Sequence, residues 1–143
     1  MKCVPFKKLD DITAESITGI VYCQPTSKNF GALDSFILDM SSKECFGLQM
    51  TINVAHGINQ PSLERFIKGL QTTLDIKFSN FYFGFMVPKK LAKAFPEQKI
   101  LTATKSVHNQ PCDLHDMKQY VVPCDPSIGM RTAFGKDQDA FIA

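Results

Sequence analysis

Residues 81 to 88 read FYFGFMVP, a run in which odd and even positions are both apolar. Side chains of a strand alternate between its two faces, so such a run has no solvent side and is predicted to lie mid-sheet under covering helices. A chain holding this strand must build layers around it. The segment just before supplies one, because Leu63, Phe66, Ile67, Leu70 and Leu74 recur at helical spacing and form a single apolar stripe. Pro61 falls at the expected first helical position, with Asn59 or Gln60 as the cap.

Upstream, ALDSFILDM and CFGLQMTINV are two apolar runs divided by the polar SSKE, which predicts a hairpin. ITGIVYC (17 to 23) predicts a strand that ends at the loop residues QPTSKNFG. Downstream, a second, shorter helix is expected from near Pro88 to before Pro96, and a last strand in MKQYVVP (117 to 123). Residues 98 to 116 give no assignment, and 124 to 143 read as a tail with little periodicity. The predicted order is β-β-β-α-β-α-β. It describes one α/β domain, a single mixed sheet flanked by helices, with its core at about 17 to 123.

At 143 residues and 44% apolar content, the chain is long enough to bury about two thirds of its unfolded surface in one core. Five cysteines, an odd number without CxxC spacing, argue against both a zinc site and a disulfide framework. The amino terminus has no apolar signal core, and the longest apolar block is too short to cross a bilayer, so a soluble chain in a reducing compartment is expected, with no membrane partner. A net charge of +2 neither demands nor excludes nucleic acid.

Polar residues interrupt the hairpin in a pattern. Gln49 and Thr51 share one face of their strand, and pairing can bring Asp34 of the preceding strand beside them. Restriction-endonuclease-like nucleases place an Asp opposite Glu-x-Lys in this way: the two acids hold a divalent metal and the lysine orients the attacking water. Here Asp34 is the one remaining metal ligand, and Gln49-x-Thr51 lacks both the second carboxylate and the cation. His56, just after the strand, is a candidate replacement for that cation or a base. A polar alternating face on a half-exposed strand accounts for the same residues without any chemistry. Lys89, Lys90 and Lys93 in VPKKLAKAF are candidate phosphate contacts, or simply a solvated helix face. Phe81, Tyr82, Phe83 and Phe85 are expected to pack in the core rather than form a base-stacking platform, because aromatic residues occupy both faces.

Tyr22 and Pro25, Asp34-Ser35-Phe36, Gln49-x-Thr51 with His56 downstream, Val87-Pro88, Gln98 and Gln119-Tyr120-Val121 follow one another in an order and spacing of their own. Over about residues 20 to 123 this string resembles the carboxy-terminal domain shared by Crinkler effectors of filamentous microbes and retrotransposon hot spot proteins of trypanosomes. The resemblance implies a degenerate restriction-endonuclease-like fold. It further implies a secreted effector translocated to the host cell nucleus, where it binds DNA or a host nuclear protein, in virulence or symbiosis. No LFLAK-like translocation segment precedes residue 20. With Gln49-x-Thr51 in place of Glu-x-Lys, the expected cofactor is none, or weakly bound Mg²⁺ or Mn²⁺, and cleavage is disfavoured. The alternatives are an active metal-dependent DNA endonuclease using Asp34, Gln49, Thr51 and His56, and a module that self-associates as a homodimer.

Overall fold

Three strands form an antiparallel meander: β2 (Ile20–Pro25), β3 (Ser35–Asp39) and β4 (Glu44–Met50). They belong to a computed structural model that describes residues 1–27, 30–102, 104, 114 and 117–125. The registers pair Cys23 with Phe36 and Phe36 with Gly47, so alternate residues of all three strands point to a common side. The β3–β4 turn is closed by the Asp39 carboxylate, which accepts from the Ser41 and Ser42 backbone N–H groups.

After β4 the chain crosses over through α1 (Gln60–Leu74) and returns as β6 (Asn80–Pro88), parallel to β4. The helix starts as the sequence predicts. Asn59 caps it by accepting from the Ser62 N–H at 3.0 Å, and Pro61 sits in the first turn. One turn, α2 (Lys89–Ala92), follows β6, and β8 (Lys118–Cys124) then lies parallel beside it. With β1 (Lys2–Phe6) at one edge, the strand order is β1-β2-β3-β4-β6-β8. Five strands run one way and β3 runs against them. A two-stranded parallel pair, β5 (Ile58–Asn59) with β7 (Ile100–Leu101), lies apart from this sheet. The whole is a mixed α/β arrangement with one dominant sheet.

The helix packs on one face. Phe66 is its centre, meeting the rings of Phe36 at 4.9 Å, Phe30 at 5.9 Å and Phe81 at 6.3 Å. Leu63, Leu70 and Leu74 complete the buried stripe, and Phe83, Phe85 and Val87 meet it from β6. Gly47 is the residue that lets this layer close: a Cβ there would come within 2.8 Å of the Leu33 side chain and 3.0 Å of Phe81. Cys23 and Cys45 lie in the same core as free thiols, and burial pushes Cys23 up to about 12, so both stay protonated.

Four features depart from the sequence-based expectation. Lys2–Phe6 forms β1, an edge strand parallel to β2, which the short, proline-bearing KCVPF does not announce. β4 ends at Met50, and residues 51 to 57 leave the sheet as a loop, although the alternation pattern extends the strand into them. Tyr82 alone of the four aromatic residues points away from the core, towards Phe46 and Tyr120. Among the described residues, no helix covers that outer face; the expectation of helices on both sides is met on one. The tail beyond Asp125 and Cys112 lie outside the described residues.

Since Phe66 joins β3, β6 and the loop before β3 through a single ring, Phe66→Ala is expected to cost about 3–5 kcal/mol. Urea unfolding followed by circular dichroism measures it, and a loss below that of an exposed substitution such as Lys68→Ala would contradict this packing.

Candidate functional site

The strand directions bring the candidate residues to one end of the sheet. β1, β2, β4, β6 and β8 all finish there, and antiparallel β3 begins there, so Asp34 meets the end of β4. In sheets of this kind the carboxyl ends of parallel strands are where ligands gather. Asp34 is fixed by its backbone, whose N–H donates to the Leu48 carbonyl at 2.9 Å. Its Oδ2 accepts twice, from Gln49 Nε2 at 2.9 Å and from the Met50 backbone N–H at 2.6 Å. The pairing expected from alternation, Asp34 beside Gln49, is therefore the one that forms.

The Gln49 amide must present its nitrogen to the carboxylate, because its oxygen would repel it. A Glu at this position would set two carboxylates against each other, and they would ionise together only with a cation between them. Gln49 turns that repulsion into a hydrogen bond. Burial raises the Asp34 pKa above the usual carboxylate value, while the Met50 N–H and the nearby His56 pull it down without cancelling the effect.

Thr51 is on the same face but is buried, and its hydroxyl is engaged locally. Its Oγ1 accepts from the Asn53 N–H at 3.0 Å and lies 3.4 Å from the Asn53 carbonyl, and its own backbone N–H donates to the Met86 carbonyl. His56 is exposed on the following loop. Its Nδ1 lies 3.0 Å from the Gly57 carbonyl, which favours the tautomer protonated there and leaves Nε2 as the acceptor. The ring is 6.1 Å from that of Phe85. Around Asp34 the donors are thus one free carboxylate oxygen, an amide nitrogen turned towards the acid and a hydroxyl committed to its own loop. That is a poor set for Mg²⁺, which needs several hard oxygens in octahedral order. Among the described residues no three His, Cys, Asp or Glu side chains cluster as a metal site.

Gln98 holds the loop that carries His56. It is 5% exposed, and its Oε1 accepts from the N–H groups of His56 at 2.7 Å and Gly57 at 3.2 Å. Its Nε2 donates to the carbonyls of Val54 and Pro96, both at 2.8 Å. Gln119 of β8 grips the backbone of Gln98 in turn: its Oε1 accepts from the N–H and its Nε2 donates to the C=O, like a neighbouring strand. Neither glutamine belongs to the site residues read from sequence spacing. Their main partners lie 21 to 44 residues away, a distance that no local pattern reports.

Lys89, Lys90 and Lys93 are exposed at and just after α2, on the same end of the sheet. Lys89 Nζ is 3.9 Å from the Asp125 carboxylate, a loose surface pair. Lys7 and Lys8 follow β1 at that end, and Asp11 accepts from both of their backbone N–H groups. Spacing does not single out this second basic pair, because the strand that delivers it has no local signal. A separate cleft of about 510 Å³ lies between Phe85, Phe95, Met117 and Val121, with Glu97 and Lys118 among its lining residues. None of Asp34, Gln49, Thr51 and His56 lines it.

Comparison with protein-family models, with curated proteins and with solved structures finds no match. What the chain can do is therefore read from the geometry of this site and from the sequence pattern.

The acceptor and the charge of Asp34 do different work, and two substitutions separate them. Asp34→Ala removes the acceptor for two donors and is expected to cost about 1 kcal/mol or more. Asp34→Asn keeps an oxygen for both. Because the carboxyl is harder to ionise in the fold than in the unfolded chain, its charge lowers stability above its raised folded pKa and has no such effect below the unfolded value of about 3.9. Asp34→Asn is therefore expected to melt at or above the wild-type temperature at pH 7, with the difference closing as the pH falls towards that value. Thermal denaturation at a series of pH values reads it.

Gln98→Leu, of similar volume, strands the His56 and Gly57 N–H groups. It is expected to cost about 1–3 kcal/mol. Hydrogen exchange at those two amides should accelerate well before exchange in β4 or β6.

Proposed function

We propose that this chain is a Crinkler-like effector domain that works by binding, with a restriction-endonuclease-like site in which cleavage has been given up. As a class, it is a degenerate nuclease-like domain. Three features support that class: the meander followed by a crossover helix and parallel strands, the carboxylate at the head of the middle meander strand, and a polar-x-polar pair at the end of the next. The string of pieces from Tyr22 to Val121 supports the narrower assignment, the carboxy-terminal domain of Crinkler effectors and retrotransposon hot spot proteins. On that assignment it is secreted, enters the host nucleus and engages DNA there.

The observation that carries the loss of catalysis is the Gln49 amide donating to Asp34. A competent site keeps two acids apart with a metal ion, whereas here the position of the second acid satisfies the first. The stabilisation that a lysine cation would give to the transferring phosphoryl group, a contribution of a few kcal/mol, is missing at Thr51. What remains suits phosphate contact: Lys89, Lys90 and Lys93, joined at the same end by Lys7 and Lys8. Binding of this kind is electrostatic, owes little to base sequence and is steeply salt-dependent.

Duplex DNA titrated by fluorescence anisotropy at several salt concentrations tests the proposal. The logarithm of the affinity is expected to fall linearly with log salt, and alanine at Lys89, Lys90 and Lys93 to flatten the slope by up to about 0.9 for each phosphate no longer neutralised. Gln49→Glu is expected to restore the paired acids, so that Mn²⁺ raises the melting temperature of the variant and leaves the wild type unmoved. Salt-independent or absent DNA binding overturns the DNA reading. Plasmid nicking by the wild type with Mg²⁺ or Mn²⁺, abolished by Asp34→Ala, overturns the loss of cleavage and establishes the endonuclease alternative.

A further inference from the structure

We propose that the loop of residues 51 to 57 is a wedge: Ile52 and Val54 enter a base step of duplex DNA and unstack it, so the preferred partner is a duplex already opened by an unpaired base. This rests on the DNA reading above and adds to it the kind of DNA that is bound.

The loop is braced at both ends. At its root Thr51 is buried, its N–H donates to the Met86 carbonyl at 3.1 Å, and its Oγ1 accepts from the Asn53 N–H at 3.0 Å, which folds the chain back over Ile52. At the far end Gln98 accepts from the His56 and Gly57 N–H groups and donates to the Val54 carbonyl. Gly57, at φ +71°, turns the chain into β5 so close to Leu101 that a Cβ would come within 2.5 Å of its side chain. All of these bonds use the backbone or the side chains of Thr51 and Gln98. None requires an aliphatic residue at 52 or 54, yet Ile52 and Val54 are 36% and 47% exposed, with Asn53 exposed between them. Two such side chains are ordinary in isolation. Their setting gives them a role.

β4, from which the loop springs, lies between β1 and β6 in the sheet. Lys7 and Lys8 follow β1, three strand spacings or about 14 Å to one side, and Lys89 and Lys90 follow β6, one spacing or about 5 Å to the other. Met50 pairs with Met86, so Ile52 leaves the sheet level with Pro88, where α2 and its lysines begin. Residues 52 to 59 carry no acid. A polyanion held by both lysine pairs therefore lies across the loop, and one of its grooves must take the loop in.

The tip has the chemistry of the minor groove. That groove, about 6 Å wide, is too narrow for a helix but admits a few side chains. Aliphatic groups that enter it part adjacent base pairs and bend the duplex. The Asn53 amide, set between the two aliphatic residues, can donate to the adenine N3 and thymine O2 acceptors of the groove floor. An anionic lipid surface also suits aliphatic groups flanked by lysines. Asn53 decides against it, because among acyl chains its amide would be buried without a hydrogen-bond partner, whereas base edges supply one.

Unstacking costs least where a base already lacks its partner. The test uses the full chain with a short paired duplex and the same duplex carrying one central unpaired base, each with 2-aminopurine beside the centre. Anisotropy is expected to give about tenfold tighter binding to the second duplex, and 2-aminopurine fluorescence to rise on binding as the step opens. Ile52→Ser combined with Val54→Ser is expected to remove both the preference and the rise. Lys89→Ala with Lys90→Ala is expected to do the opposite, flattening the salt slope and keeping the preference. The fluorescence rise with the unaltered chain decides the matter if the serine variant does not fold. Equal affinity for the two duplexes, or no fluorescence rise, overturns the wedge and leaves DNA binding standing. No binding to either duplex overturns both. Binding to phosphatidylserine vesicles that is lost with Ile52 and Val54, without a 2-aminopurine response, assigns the loop to a lipid surface and overturns the wedge.

Discussion

One carboxylate oxygen ties the two ends of the central hairpin together. Asp34 Oδ2 holds the side chain of Gln49 and the backbone of Met50, and its own N–H is fastened to Leu48. Those bonds set where β3 begins and β4 ends, and with the first parallel pairing across β4 and β6 they define the end of the sheet at which all candidate residues collect. The bond is an unusual structural choice. An acid whose ionisation is opposed by burial is a weaker fastener at neutral pH than a neutral amide of the same shape, and sites that keep such a residue generally do so for a reason other than stability. With Gln at 49 and Thr at 51, the reason we propose is recognition rather than metal-dependent cleavage.

The hairpin register was legible because its signal is local and strictly periodic. Phe36 and Leu38 alternate against Cys45 and Gly47, and a slip of one residue would turn every apolar side chain to the wrong face. The helix was legible for the same reason, with Asn59 and Pro61 marking its start. What escaped had no local signature. KCVPF is short, charged at its first residue and broken by proline, and it becomes a strand only because β2 offers an open edge beside it. Gln98 is one piece of the string from Tyr22 to Val121, but nothing local announces its role: its side chain completes four hydrogen bonds, to the backbone of Val54, His56, Gly57 and Pro96.

The run FYFGFMVP is legible only by half. Apolar residues at both parities establish that neither face of β6 is meant for water, but they do not say what excludes it. On one side α1 and the rings of Phe66, Phe83 and Phe85 do so. On the other, Tyr82 stands beside Phe46 and Tyr120, and Met86 beside Met50 and Val122, with no described helix above them. Core and interface obey the same hydrophobic physics, so periodicity cannot separate them.

The polar end and the apolar face of the sheet are linked by geometry. The carboxyl end carries the lysines that follow β1 and those of α2, together with an acid satisfied by its own hairpin, and it is the surface for which we propose phosphate contact. The outer face across β4, β6 and β8 is apolar, with Tyr82 in ring contact with both Phe46 and Tyr120. The parallel strands gather the polar groups at their ends while alternation along the same strands assigns the apolar side chains to the faces, so one set of registers separates the two surfaces.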